Sequence, residues 1–363
     1  MGTILFGFFL LLIGAACGGS FGLPSKFVKK DTPWEVLWGP FFFFVAVVIP
    51  CIIAPLVVDD LFGVFAEVGF AKILPVLVFG LLWGLGSMTL GKAFAFIGLS
   101  LAYALNYGAQ IVTGSVVPMA IHTPDQMAEP HGIVVLLGVA VCVVGVIVCG
   151  RAAILKERSL KTEEGDSPVD DAKKSPKMLI GLTIGILSGV LCACYSVGFS
   201  FATPVNDLIA KGQTAGWAQA WGTTALILWG GSISACGYCV WELTKNKTWG
   251  QLKGPGIAKT LILAMAMAIL HDAAVLFYGL GAIRIGNLGG SVGYAVFMSF
   301  AIIIGNFHGF RTGEWKGASA QSKKLIMVGI AVLILGVCVL AAGRLMTPAA
   351  PAPAPTTAPA TTT

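Results

Sequence analysis

The chain has 363 residues, of which 56% are hydrophobic and only 11% charged. Soluble domains carry roughly 25% charged residues, so a water-soluble fold is excluded. The formal net charge of +6 carries no nucleic-acid signal, because the lysines and arginines stand in short segments flanking apolar runs, a topogenic pattern.

Ten apolar stretches follow one another at 3–23, 36–57, 73–91, 93–119, 132–150, 178–203, 218–241, 257–280, 287–308 and 324–343. A bilayer core needs roughly 20 apolar residues per helix, so each is long enough to cross. The expected fold is therefore an all-α integral membrane protein with ten transmembrane helices. The first stretch ends in Gly14-Ala15-Ala16-Cys17, which hints at a processing site, but no Lys or Arg precedes it. Without a basic n-region it reads as a retained helix. Between the fifth and sixth stretches lies a loop, 151–177, with 7 basic and 6 acidic residues, expected as a cytoplasmic linker. Residues 346–363 end the chain, with only Pro, Ala and Thr after Met346, the composition of a disordered tail.

The second five stretches echo the first five. Ser20-Phe21-Gly22-Leu23-Pro24 closes the first, and Ser200-Phe201-Ala202-Thr203-Pro204 closes the sixth. Ser100-Leu101-Ala102-Tyr103-Ala104-Leu105 opens the fourth, and Ser291-Val292-Gly293-Tyr294-Ala295-Val296 opens the ninth. Gly138 and Gly145 in the fifth match Gly329 and Gly336 in the tenth. Residues 1–150 and 178–345 thus form two five-helix repeats. An odd number of crossings per unit sets consecutive copies in opposite orientations, giving inverted-topology repeats around one central site.

Orientation follows from charge. The loops that join helices 1–2, 3–4, 5–6, 7–8 and 9–10 hold 19 of the 23 Lys and Arg residues. Cytoplasmic loops carry that excess, so both termini are expected on the periplasmic side.

Helix 4 carries the densest polar pattern. Tyr103, Asn106, Tyr107, Gln110 and Thr113 share one helical face. Lipid offers amides no partners, so this face should point inward. Two roles fit it: contact with a hydroxylated substrate, or interhelical hydrogen bonding. By repeat symmetry Tyr294 matches Tyr103, and Trp83 and Tyr278 are further aromatic candidates for a sugar's C–H face. His271 and Asp272 are the one acid–base pair deep inside a span. An ionised Asp there costs roughly 2.5–3.5 kcal/mol on insertion scales, so it requires a partner, a proton or water. Proton coupling and structural pairing both fit. Adjacent residues on a helix diverge by about 100°, so one of the two is expected at the cavity. Gly14, Gly18 and Gly22 offer a small face for close packing along helix 1.

The nine cysteines lie almost wholly inside apolar stretches, and Cys236-Gly-Tyr-Cys239 has no second pair beside it. They read as small buried side chains, with no metal site or cofactor expected. The four histidines are scattered, which argues against a membrane enzyme.

The run Pro24-Ser25-Lys26-Phe27-Val28-Lys29-Lys30, followed by Trp34-Glu35 and Trp38, resembles the L-rhamnose–proton symporter family of the drug/metabolite transporter superfamily. Trp83-Gly84-Leu85-Gly86, Gly98-Leu99-Ser100, Phe277-Tyr278…Gly281…Arg284-Ile285 and Glu314-Trp315 are similar too. The resemblance covers roughly residues 5 to 343. It implies a bacterial inner-membrane carrier that takes up L-rhamnose or a related neutral monosaccharide with a proton, by alternating access. The substrate-binding candidates are then Trp83, Tyr103, Asn106, Tyr107, Gln110, Tyr278 and Tyr294, with His271 and Asp272 for the proton. The competing reading is a drug/metabolite-type exporter or a transporter of another small metabolite.

Overall fold

The computed structural model describes residues 2–29, 31–163, 176–212, 216–286, 288–313 and 315–346. Among them the chain is helical, and nine helical segments are long and apolar enough to cross a membrane. Helix α1 is Gly2–Ser20. The second crossing, Trp34–Val57, is built of α2 (Trp34–Phe43), a π turn (Phe44–Val48) and α3 (Ile49–Val57). Pro40, Pro50 and Pro55 lack the N–H that an unbroken ladder needs, which accounts for the irregular middle. A short helix α4 (Leu61–Val68) follows, started by Asp60, whose carboxylate accepts the Gly63 N–H at 3.2 Å. Then come α5 (Phe70–His122), α6 (Pro130–Glu163), α7 (Pro176–Phe201), short α8 (Thr203–Gly212) and α9 (Gly216–Lys245). Helices α10 (Ile257–Ile285), α11 (Gly289–Arg311) and α12 (Ala320–Met346) complete the bundle.

Three expectations are corrected. The break expected near Lys92 takes no non-helical residues: backbone from Phe70 to His122 is helical, and the reversal falls within it. The linker expected at 151–177 starts later: α6 continues to Glu163, since Ala152, Ala153, Leu155 and Leu160 continue its helix-favouring composition. Residues 164–175 and the tail from 347 lie outside the described residues. Gly22 takes no part in packing, as nothing approaches its Cβ position, whereas Gly14 and Gly18 abut α10 and Phe297.

Helix α5 has 53 residues, which a straight rod would stretch to roughly 80 Å, far beyond a hydrocarbon core of about 30 Å. Its contacts show that it folds back. The rings of Phe79 and His122 stand 5.3 and 5.2 Å from the same ring, Phe201. Ala93 and Ala102 share one small cluster with Leu90 and Leu105. Two arms, 70–90 and 102–122, therefore lie side by side along α7.

Glycines set the other close contacts. A Cβ at Gly138 or Gly145 would meet the backbone N of Leu340 or Leu333 at 2.9 Å. A Cβ at Gly329 or Gly336 would meet that of Cys149 or Cys142, also at 2.9 Å. One number rises as the other falls, so α6 and α12 run antiparallel, each placing its glycines against the other's backbone. Seven residues is close to two helical turns, so such glycines return to the same face.

Candidate functional site

One cavity of about 150 Å³ opens between α1, α2, both arms of α5, α7, α10 and α11. Room for one water needs roughly 10–15 Å³ in this measure, so the space suits a small molecule. Trp83, Asn106, Tyr107, Gln110, Tyr278, Tyr294 and His271 all line it. Of the residues expected from sequence, the Tyr103 side chain lies outside the described residues. Asp272 stands directly behind the wall.

The inner end of the cavity is polar and ordered by a directional chain of hydrogen bonds. The Tyr294 hydroxyl donates to Gln110 Oε1 at 2.7 Å, and Gln110 Nε2 donates to Asn106 Oδ1 at 2.5 Å. Asn106 Nδ2 then donates to Ser188 Oγ at 2.9 Å, and Ser188 Oγ donates to the Gly185 carbonyl at 2.8 Å. Of the two roles weighed for the helix 4 amides, interhelical bonding is the one these contacts fill. They join α5 to α7 and α11, and they also face the cavity with what remains: one Gln110 N–H and unused lone pairs on Gln110 Oε1 and Asn106 Oδ1.

Below this end the helices close on one another. Ser196 Oγ lies 2.9 Å from the Gly114 carbonyl, 3.1 Å from the Gly290 carbonyl and 3.2 Å from the Tyr278 hydroxyl. Gly114 is also the surface on which the Tyr294 ring lies, leaving no room for a Cβ. At the other end the partly exposed lining residues are Gly18, Phe21, Trp34, Trp38, Ser87, Leu90 and Met298. All lie toward the loops that carry Lys26, Lys29 and Arg311. The cavity is sealed on one side of the bundle and widens toward the lysine-rich side.

His271 sits between these ends. Its ring meets Phe21 at 5.7 Å, Phe41 at 6.0 Å and Trp83 at 5.7 Å. Its Nδ1 lies 3.1 Å from Asp272 Oδ1. Asp272 is 2% exposed, and its Oδ2 has no hydrogen-bond partner. Of the adjacent pair, then, the imidazole faces the cavity and the carboxylate is turned away, as the helical angle requires, yet the two groups touch. With Nδ1 directed to the carboxylate, Nε2 is the ring nitrogen left for the cavity.

Several lining residues went unread in the sequence. Tyr195 is 3% exposed, with its hydroxyl 3.1 Å from Thr224 Oγ1 and its ring against Trp83 and Tyr278. The spacing Cys192, Tyr195, Ser196, Phe199 marks one helical face and was a usable signal. Trp34 and Trp38, stacked at 5.8 Å, line the open end. Between them Glu35 turns the opposite way. Only 4% exposed, it accepts Thr248 Oγ1–H at 2.8 Å and Asn246 Nδ2–H at 3.1 Å. It thereby anchors the start of α2 to the α9–α10 connection. Among the described residues no group of three or more His, Cys, Asp or Glu side chains is placed to hold a metal.

A bundle of membrane-crossing helices around a central, one-sided cavity with fixed hydrogen-bonding groups and an acid–base pair defines a small-molecule membrane transporter. The family described as L-rhamnose-proton symport protein (RhaT) matches residues 1–346. The chain belongs to that family. It is 28% identical to the L-rhamnose-proton symporter of Pectobacterium atrosepticum over 94% of this chain and 98% of the relative. It is 27% identical to the proteins of that name from Salmonella gallinarum and Salmonella newport, with the same coverage. These relatives are symporters by name, not enzymes.

Proposed function

We propose that this protein is a bacterial inner-membrane carrier that takes up L-rhamnose or a close relative together with a proton, by alternating access. Family membership supports the substrate class and the coupling. The observation that carries the reading is the placement of His271, backed by Asp272, in the same cavity wall as Asn106, Gln110 and four tyrosines. In this reading the amides and His271 Nε2 meet sugar hydroxyls, while Trp83 and Tyr278 meet its C–H face. Asp272 Oδ2, buried and without a donor, is the seat of the transported proton. His271 links that seat to the sugar. Joint occupancy favours reorientation, and the singly loaded carrier is held back.

The architecture in this reading is ten crossings in two inverted sets of five, with α5 supplying two of them. The antiparallel, reciprocal glycine seam of α6 and α12 supports it. The lysine-rich loops are cytoplasmic, so both termini are periplasmic and the cavity faces inward, sealed outward at Ser196.

The test is uptake of labelled L-rhamnose into proteoliposomes, with and without a proton gradient, against a panel of hexoses and pentoses. Accumulation should require the gradient and be specific. Uptake indifferent to both would refute the assignment. Asp272→Asn should abolish gradient-driven accumulation and retain sugar exchange; unaltered accumulation removes Asp272 from the mechanism.

A further inference from the structure

A second, larger cavity lies on the outside of the bundle, away from the sugar site. It has a volume of about 350 Å³ and runs between α2 and α9. Phe43 and Phe44 form one wall and Val240 and Leu243 the other. Leu261 of α10 lines it too, as do Trp249 and Leu252 of a 3-10 turn, Trp249–Lys253. The gap lies where Gly39 contributes no side chain and Pro40 gives the helix no N–H, just before the π turn. Trp249 Nε1–H is already donated to Thr244 Oγ1 at 3.1 Å. The thiols of Cys236 and Cys239 are the only other polar lining groups, and they are weak ones. Such a slot takes hydrocarbon. The polypeptide above it is basic: Lys247, Lys253 and Lys259 are exposed, while the carboxylates of Glu35 and Glu242 beside it are engaged by Asn246, Thr248 and Tyr238. Lys253 directly follows the lining residue Leu252, at the end of the turn.

We propose that this groove binds one acyl chain of an anionic phospholipid, with Lys247 and Lys253 holding the phosphate-bearing headgroup. Hydrocarbon in the slot supplies attachment and the lysines supply selection. A zwitterionic lipid fills the same slot without that electrostatic gain. Two lysines near the headgroup favour the anionic lipid by roughly 10-fold or more.

Trp249 reports occupancy, because it is both half-exposed and part of the lining. The full chain is placed in bilayers containing acyl-brominated phosphatidylglycerol or acyl-brominated phosphatidylcholine, and tryptophan quenching is measured in the wild type and in Trp249→Phe. Their difference isolates Trp249. Half-maximal quenching of that component is expected at about a tenth of the mole fraction for the anionic lipid. Lys247→Asn with Lys253→Gln should bring the two lipids together; Asn is chosen because residue 247 has a positive φ of 57°. Both positions are exposed, so this variant leaves the packing intact. Gly39→Leu, which fills the slot, should remove Trp249 quenching by either lipid. Equal quenching by both lipids in the wild type means annular contact only and overturns the proposal, as does an anionic preference that survives loss of both lysines.

Discussion

Replacing Gln110 by Leu tests the hydrogen-bond chain at the inner end of the cavity. The substitution leaves the Tyr294 hydroxyl without its acceptor and Asn106 Oδ1 without its donor. Tyr294 is 2% exposed and its ring is fixed between Gly114 and Tyr278, so the hydroxyl has no water to turn to. An orphaned buried hydroxyl costs about 1–3 kcal/mol. Asn106 is fully buried, so its Oδ1 is left without a donor as well. Gln110→Leu should therefore destabilise by about 2–3 kcal/mol. Tyr294→Phe removes the donor and leaves Gln110 Oε1 at the wet cavity edge, so its cost is a single net hydrogen bond, about 1 kcal/mol. With both groups gone the orphaned hydroxyl disappears, and the double variant should be milder than the sum of the singles by about 1–2 kcal/mol. SDS-titrated unfolding in mixed micelles measures all three corners of this cycle. Strict additivity would refute the bond and, with it, the claim that these amides have a fixed orientation.

Glu35→Ala removes the acceptor of Thr248 and Asn246 and should cost about 1–3 kcal/mol in the same assay; Glu35→Gln, which keeps a carbonyl oxygen there, should recover most of the loss. Gly336→Leu drives a side chain into the Cys142 backbone and should destabilise by about 1–3 kcal/mol or more, while Gly22→Leu, where nothing stands near the Cβ position, should be neutral within about 0.5 kcal/mol. Spin labels at 79 and 122 should report a short distance, since both rings touch Phe201; about 65 Å, the value for an unbent helix, would rule out the fold-back of α5.

How much was legible depended on whether a residue type carries direction. Asn106 and Gln110 announced their facing, because an amide in an apolar helix has few places to go. The seven-residue glycine spacing was legible as a repeat between the fifth and tenth stretches; that the two copies pack on each other emerges only from the structure. Phe21 and Phe41 carried no such signal, since an aromatic ring in a membrane helix is equally at home against lipid, and their facing is set by packing across the bundle. Glu35 was visible as a motif residue, but its partners at 246 and 248 follow more than 200 positions later, at a range where local spacing is silent. The short helices α4 and α8 fell in segments too brief and mixed for an apolar-run criterion. The continuous helical backbone through 91–101 went unread because Gly91-Lys92 looks like a turn, and the reversal of α5 shows only in what its two ends touch.

The chain from Tyr294 through Gln110 and Asn106 to Ser188 has a consequence beyond stability. Every donor in it points the same way, and it ends on a main-chain carbonyl that cannot turn round. No single amide can flip without breaking a bond on each side, so the wall presents one invariant arrangement of a proton and lone pairs. A ring of hydroxyls docking there must offer an acceptor and donors in the complementary sequence around its edge. Under the proposed function, that requirement would distinguish stereoisomers of identical size and composition, and the carrier would read configuration through a pattern set before the sugar arrives.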